Sequence, residues 1–173
     1  PQTFDNSVLE SIGRKHTAEQ AISAYNLAKS TGFDSINMDL IAGLPGDTVE
    51  GFKFSVDTAI KYRPENITVH TMSIKRAADI KIYGCDIESA EAKDVAQMID
   101  YAKETLINSG YSPYYLYRQR NILGDMENTG YSKEGHSGIY NIIMMEEIST
   151  VISLGVGAVT KLVKPGLIKR IFN

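Results

Sequence analysis

Residues 33–48 read Phe33-Asp-Ser-Ile-Asn-Met-Asp-Leu-Ile-Ala-Gly-Leu-Pro-Gly-Asp-Thr48. The run predicts a buried strand, a glycine-rich turn and the start of a helix. A parallel strand buried on both faces is apolar almost throughout, yet Asn37 and Asp39 stand among Ile36, Met38, Leu40 and Ile41. Polar groups inside such a strand need partners, because an unpaired buried carboxylate costs too much to keep. Alternation puts Asn37, Asp39 and Ile41 on one face, near the C-terminal end of the strand. In parallel α/β folds that end carries the ligand sites. Two readings of Asp39 stand: an acid that ties down neighbouring loops, or one that faces a ligand crevice. The turn Gly43-Leu-Pro-Gly46 is equally open. Its glycines supply positive φ, Pro45 stiffens it, and Asp47 or Thr48 caps the next helix without any ligand being needed.

The flanks add a βα repeat. Upstream, Val8, Leu9 and Ile12 fall at helical spacing behind a capping Asp5 or Asn6, and Gly13 ends that short helix. Thr17-Ala-Glu-Gln20 is a capping box for a second helix that reaches Ser30 and buries Ala21, Ile22, Tyr25 and Ala28. Between them Arg14 can hold a carboxylate with two parallel bonds, whereas Lys15 and His16 read as parts of a turn. Downstream, Phe52, Val56, Ala59 and Ile60 make a third helix that stops before Pro64. Residues 66–73 read as a second strand, with His70 a core residue more readily than a ligand and Ser73 at the strand's end. This alternation predicts an α/β fold with a parallel sheet. Lys75, Arg76, Asp79 and Lys81 lie in an aperiodic loop that is either solvated or faces an anion. The longest helix is expected over 89–109, well buried through Ala92, Val95, Ala96, Met98, Ile99, Ala102 and Leu106.

Past Gly110 the character changes. Tyr111, Tyr114, Tyr115 and Tyr117 crowd a stretch whose residues 114–118 predict a strand. Its rings either fill a pleated surface or wall a large, flat, acidic ligand, with Arg118 or Arg120 on the carboxylates. Residues 139–148 predict a short helix with Met144 and Met145 in the core. Residues 151–158 predict a strand entering a turn at Gly155 and Gly157, where backbone can approach a ligand. A terminal hairpin is expected from 159–163 and 167–172 around Lys164-Pro-Gly166.

Three of these stretches carry a resemblance. Asp39-Leu-Ile-x-Gly-Leu-Pro-Gly-x-Thr48, preceded by Gly32-Phe-x-x-Ile-Asn37, resembles the radical S-adenosylmethionine enzymes related to oxygen-independent coproporphyrinogen III oxidase. Gln2, Thr3, Phe4, Asp5, Leu9, Gly13, Arg14 and His16 match a second motif of that family as they stand. In the family the corresponding glutamine, arginine and strand aspartate bind S-adenosylmethionine, which implies that role for Gln2, Arg14 and Asp39. Ser73 is a cofactor contact by position only, and the matching family segment makes Gly155, Gly157 and Val159 candidate backbone contacts. Tyr114-x-Leu-Tyr-Arg-Gln-Arg-Asn-x-x-Gly124, Glu127-Asn-x-Gly-Tyr131 and Ile139-Tyr-Asn-Ile142 are similar to the C-terminal extension of the coproporphyrinogen dehydrogenase branch, and not to the heme-chaperone branch.

The resemblance implies the second half of a partial (β/α)6 TIM-like barrel over 1–110 and the start of a C-terminal α+β extension, on the substrate side, over 111–173. It implies S-adenosylmethionine and a [4Fe-4S] cluster as cofactors, with coproporphyrinogen III or a related tetrapyrrole as partner. In the family, a reduced cluster cleaves S-adenosylmethionine to a 5′-deoxyadenosyl radical. That radical starts the oxidative decarboxylation of propionates to the vinyl groups of protoporphyrinogen IX.

Composition sets the bounds. With 173 residues, 43% hydrophobic and 23% charged, the chain can bury a sizeable core. A net charge of −3 does not suggest nucleic acid binding. No apolar run is long enough to span a membrane, and no targeting segment is visible, so a cytoplasmic protein is expected. An opening on Pro1-Gln2 in place of Met looks like a piece cut from something longer. Cys85 is the single cysteine, so no internal disulfide and no multi-cysteine metal site is expected. The three thiolates of a cluster would come from an absent N-terminal half, and the fragment alone is expected to be inactive, with no strictly catalytic residue assigned to it. An open half-barrel exposes a strand edge and an apolar face, so self-association is expected. Two other readings remain: a heme-binding or trafficking paralogue, and an unrelated α/β domain that uses residues 43–46 as an anion loop.

Overall fold

Three helix starts are set by the side chains beside them. Asp5 accepts the Ser7 and Val8 N–H groups ahead of α1 (Asn6–Ser11). Thr17 and Gln20 cap each other's backbone at α2 (Ala18–Ser30), as their spacing predicts. Thr48, the second of the two expected caps, accepts the Gly51 N–H at 3.0 Å at the start of α3 (Val49–Tyr62). That helix ends on Arg63, left-handed at φ 53°, directly before Pro64. The computed structural model describes residues 1–72, 92–117 and 127–172. Their contacts divide the chain into two compact units, Pro1–Ser137 and Gly138–Asn173.

The first unit is a mixed α/β fold. Its strands are β1 (Asn37–Ala42), β2 (Asn66–Thr71), β3 (Ser112–Tyr117) and β4 (Asn128–Ser132), joined in the order β1-β2-β4-β3. β1 and β2 run parallel with α3 as their connection, as expected of a βα repeat. β4 is antiparallel to both β2 and β3, so beyond its parallel pair the sheet is mixed. It also runs across position 110/111, where the sequence suggests a domain boundary.

One face of this sheet makes the core. Met38, Leu40 and Ala42 of β1, Ile67 and Val69 of β2 and Tyr131 of β4 cluster with Phe52, Val56 and Ala59 of α3. Val95, Met98, Ala102 and Leu106 of α4 (Ala92–Asn108) belong to the same cluster. α4 thus buries one stripe, while Ala96 and Ile99 are only partly buried, contrary to the wider burial expected. β1 likewise is not buried on both faces. Met38, Leu40 and Ala42 are covered, whereas Asn37 and Asp39 are exposed, because the core cluster takes only one side of the strand. At the start of the strands Tyr111 donates to the Pro64 carbonyl at 2.7 Å. Beside it Glu65 accepts from Lys29 at 2.5 Å and from the Ile36 N–H at 3.2 Å.

The second unit holds α5 (Ile139–Glu146) and a hairpin of β5 (Val159–Lys164) and β6 (Leu167–Phe172), turning at Pro165-Gly166 as expected. Lys161 is buried and donates to the Met144 carbonyl at 3.1 Å. Two expectations fail here. Residues 152–158 form no strand; Val151 alone bridges to Lys161, and Gly155 and Gly157 turn the backbone at φ 111° and 75°. Met145 is exposed and Met144 only half-buried, because α5 buries no residue fully. No helix among the described residues is long and apolar enough to cross a membrane.

Candidate functional site

The other face of the four-stranded sheet carries the polar groups. Asn37 and Asp39 share it by strand alternation. The parallel register sets Thr68 beside Asp39 and His70 beside Ile41. Gly130 of β4 stands opposite both Thr68 and Tyr115 of β3. A bulge between Pro113 and Tyr115 re-aims β3. Tyr115 and Tyr117 then lie parallel, with ring centroids 6.1 Å apart at an interplanar angle of 7°.

These side chains interlock across three strands. Thr68 donates to Asn37 Oδ1 at 3.1 Å, and Asn37 Nδ2 donates to Asp39 Oδ1 at 2.7 Å. His70 Nε2 stands 3.7 Å from the same Oδ1. On its other side, His70 Nδ1 lies 3.2 Å from the Tyr117 hydroxyl. His70 above all, then Asn37, holds the Asp39 carboxyl below the usual carboxylate range despite its partial desolvation. Asp39 is therefore ionised at neutral pH, while its side chain stays 52% exposed.

Gln2 reaches the same strand. Its carbonyl accepts the Ile41 N–H at 2.9 Å, and its Oε1 is buried without a hydrogen-bond partner among the described residues. Thr3 and Phe4 fix this segment, both bonding the buried Ser55 hydroxyl of α3 at 3.0 Å. Arg14 is exposed in the turn after α1. The unpaired buried amide oxygen of Gln2 and the carboxylate of Asp39 thus both lie along β1, with Arg14 on the turn that follows α1. Such a set suits a polar ligand that carries hydroxyl, amino and carboxylate groups.

The turn 43–46 is filled by the protein itself. Gly43, Leu44 and Pro45 are buried, the Pro45 carbonyl accepts from Ser11 at 3.2 Å, and a Cβ on Gly43 would meet Val95 Cγ2 at 2.9 Å. That is the structural reading of the turn. Ser73, Lys75, Arg76, Asp79, Lys81, Cys85, Arg118 and Arg120 lie outside the described residues. Gly155, Gly157 and Val159 belong to the second unit, the two glycines exposed and Val159 half-buried. Sequence reasoning missed Thr68, His70 and Tyr117 as members of the site. The alternation that flags Asp39 could have flagged Thr68 and His70, once the parallel register was assumed.

No family model matches the chain. Over 163 residues, 94% of its length, it is 46% identical to the oxygen-independent coproporphyrinogen-III oxidase-like protein HemZ of Bacillus subtilis (strain 168), covering 32% of that protein. It is 27% identical over 164 residues to the heme chaperone HemW of Haemophilus influenzae, covering 95% of this chain and 39% of that one. To the oxygen-independent coproporphyrinogen III oxidase of Escherichia coli (strain K12) it is 33% identical over 117 residues, 64% of this chain and 24% of the relative. Among solved structures, coproporphyrinogen III oxidase (HemN) from Escherichia coli, a radical SAM enzyme, matches with a TM-score of 0.69 at 18% identity, over 92% of this chain and 37% of that one. At that identity the likeness is one of fold. The chain thus spans between 24% and 39% of the length of these three curated relatives.

Proposed function

We propose, from the homology of this chain to the oxygen-independent coproporphyrinogen III oxidases and the heme chaperones, that it is part of a radical S-adenosylmethionine oxidoreductase that decarboxylates the propionates of coproporphyrinogen III. The observation that carries this reading is the 46% identity, over 94% of the chain, to a coproporphyrinogen-III oxidase-like protein. In this reading residues 1–110 belong to a partial barrel, and residues 111–173 begin an extension on the substrate side.

Gln2, Arg14 and Asp39 would hold S-adenosylmethionine. The buried, unpaired Oε1 of Gln2 and the ionised Asp39 supply acceptors, and Arg14 supplies a fork of donors for a carboxylate. Ser73, Gly155, Gly157 and Val159 are assigned by resemblance alone, as are Arg118 and Arg120 for the carboxylates of the tetrapyrrole. Once bound and given one electron by a reduced cluster, this cofactor would supply a carbon radical able to take hydrogen from a propionate. A [4Fe-4S] cluster does not fit the donors present here: Cys85 is the single cysteine, and a cluster needs at least three thiolates. Those thiolates would come from outside these 173 residues.

The test uses the intact protein, reduced and supplied with S-adenosylmethionine and coproporphyrinogen III. Mass spectrometry should detect 5′-deoxyadenosine and the stepwise loss of carbon dioxide from the tetrapyrrole, and Asp39→Ala should weaken S-adenosylmethionine binding at least tenfold. The similarity to heme chaperones favours a second reading, in which the protein carries heme without oxidising it. A stoichiometric Soret shift on heme titration, with no decarboxylation, would select that reading.

A further inference from the structure

The two side chains recorded against the Asp39 carboxylate both reach the same oxygen. Asn37 Nδ2, at 2.7 Å, and His70 Nε2, at 3.7 Å, both address Oδ1, and Oδ2 has no hydrogen-bond partner among the described residues. We propose that His70 is a positioning residue for Asp39, its ring fixed by Tyr117 so that an Nε2–H points at Oδ1 and Oδ2 is left as the oxygen that receives a ligand's N–H or O–H.

The electrostatics choose the tautomer. A neutral imidazole donates from one nitrogen and accepts at the other. Were the proton on Nδ1, the Nε2 lone pair would face an ionised carboxylate oxygen at 3.7 Å, a repulsive arrangement. With the proton on Nε2, that contact becomes attractive, and Nδ1 is free to accept from the Tyr117 hydroxyl at 3.2 Å. The amide of Asn37 obeys the same logic. Its Nδ2 faces Asp39, and its Oδ1 accepts from Thr68 at 3.1 Å, so a flipped amide would set its oxygen against the carboxylate and lose the contact with Asp39. Four side chains on β1, β2 and β3 therefore agree on a single orientation for one half-exposed acid. A carboxylate held in this way loses little rotamer freedom when a ligand arrives. The span of 3.7 Å is also longer than a direct hydrogen bond, which leaves room for the pair to draw together on binding.

The ligand half of this inference rests on the reading that Asp39 meets S-adenosylmethionine, so two independent readouts are needed. The first is the tautomer of His70 in the intact protein, read by long-range 1H–15N NMR on histidine-labelled material at a pH well above the ordinary imidazole range. The expected result is a single Nε2–H tautomer, which averages in Tyr117→Phe. An Nδ1–H tautomer, or a mixture in the unaltered protein, would overturn the proposal. The second is S-adenosylmethionine binding. His70→Phe should weaken it by about fivefold to tenfold, and His70→Gln, which keeps an N–H within reach, should recover most of the loss. If Asp39→Asn weakens binding and His70→Phe does not, the positioning role is wrong while the proposed function stands. If Asp39→Asn changes nothing, the proposed function fails and takes the ligand half of the inference with it, and the tautomer still decides the contact with Oδ1.

Discussion

The ring of Tyr115 lies flat across Gly130: a Cβ on that glycine would sit 1.9 Å from Tyr115 Cε1 and 2.4 Å from Cδ1. A glycine inside a strand often marks such a close approach. The side-chain hydrogen at position 130 is thus what lets Tyr115 lie over the sheet between Thr68 and Tyr117. Gly130→Ala should push the ring out of its parallel arrangement with Tyr117 and lower stability by about 1–3 kcal/mol. Thermal denaturation and the near-ultraviolet tyrosine circular dichroism check it. Both signals unchanged would show that the ring yields freely.

Glu65 is an acid that the fold needs charged. Burial pushes its pKa up, but the Lys29 ammonium and the Ile36 N–H outweigh burial and hold the carboxyl below its ordinary value of 4.5. A group lowered in this way adds stability that is fully present above its unfolded value and lost as pH falls through the folded one. Glu65→Gln should therefore cost about 1–3 kcal/mol at neutral pH. In urea unfolding followed across pH, the gap between the two proteins should narrow as pH falls below about 4.

Asp47 behaves in the opposite sense. Burial, opposed by the Thr48 N–H and reinforced by Asp5, raises its pKa from 3.8 to about 6, and its Oδ2 is buried without a hydrogen-bond partner among the described residues. The folded state holds this proton more tightly than the unfolded state, so stability falls as pH rises between those two values. Asp47→Asn keeps an acceptor for the Thr48 N–H and removes the charge. It should gain about 1–2 kcal/mol at pH 7, with the gain gone below about pH 4.

Gly43 pairs two constraints, a φ of 80° and a Cβ position only 2.9 Å from Val95 Cγ2. Gly43→Ala should cost about 2–4 kcal/mol through backbone strain and overpacking against α4. Adding Val95→Ala should return the packing part, so that the double variant loses less than the sum of the two singles. Strict additivity in equilibrium unfolding would show that only the backbone strain matters.

What the sequence made legible was local. Asp5, Thr17 with Gln20, and Thr48 name their helix starts because capping acts within a few residues. Pro165-Gly166 names its hairpin in the same way. The shared face of Asn37 and Asp39 also follows from alternation alone. β4 was invisible: Asn128-Thr-Gly-Tyr-Ser132 is poor strand sequence, and its glycine is required by Tyr115, fifteen residues earlier, through a contact no short window contains. Residues 152–158 misled in the reverse direction. Ile152, Leu154 and Val156 alternate like a strand but are 74%, 89% and 108% exposed, and the positive φ of Gly155 and Gly157 prevails. The parallel register could have placed His70 on the face of Asp39, but not its contact with Tyr117, which arrives from the far edge of the sheet.

The strand order carries a consequence for synthesis. β3 precedes β4 in the chain, yet among the described strands its one neighbour is β4. Asn128 marks the dependence, accepting from the Thr71 N–H at 2.8 Å on one side and donating to the Tyr117 carbonyl at 3.4 Å on the other. Tyr117 can therefore settle against His70 only after residues 128–132 have been made, about 90 residues behind Asp39. At roughly 5–20 residues per second, the growing chain spends on the order of 5–20 s with that acid exposed and its imidazole partner unanchored. The polar cluster is then among the last parts of the first unit to mature on the ribosome, well after the helices that flank it have begun to fold.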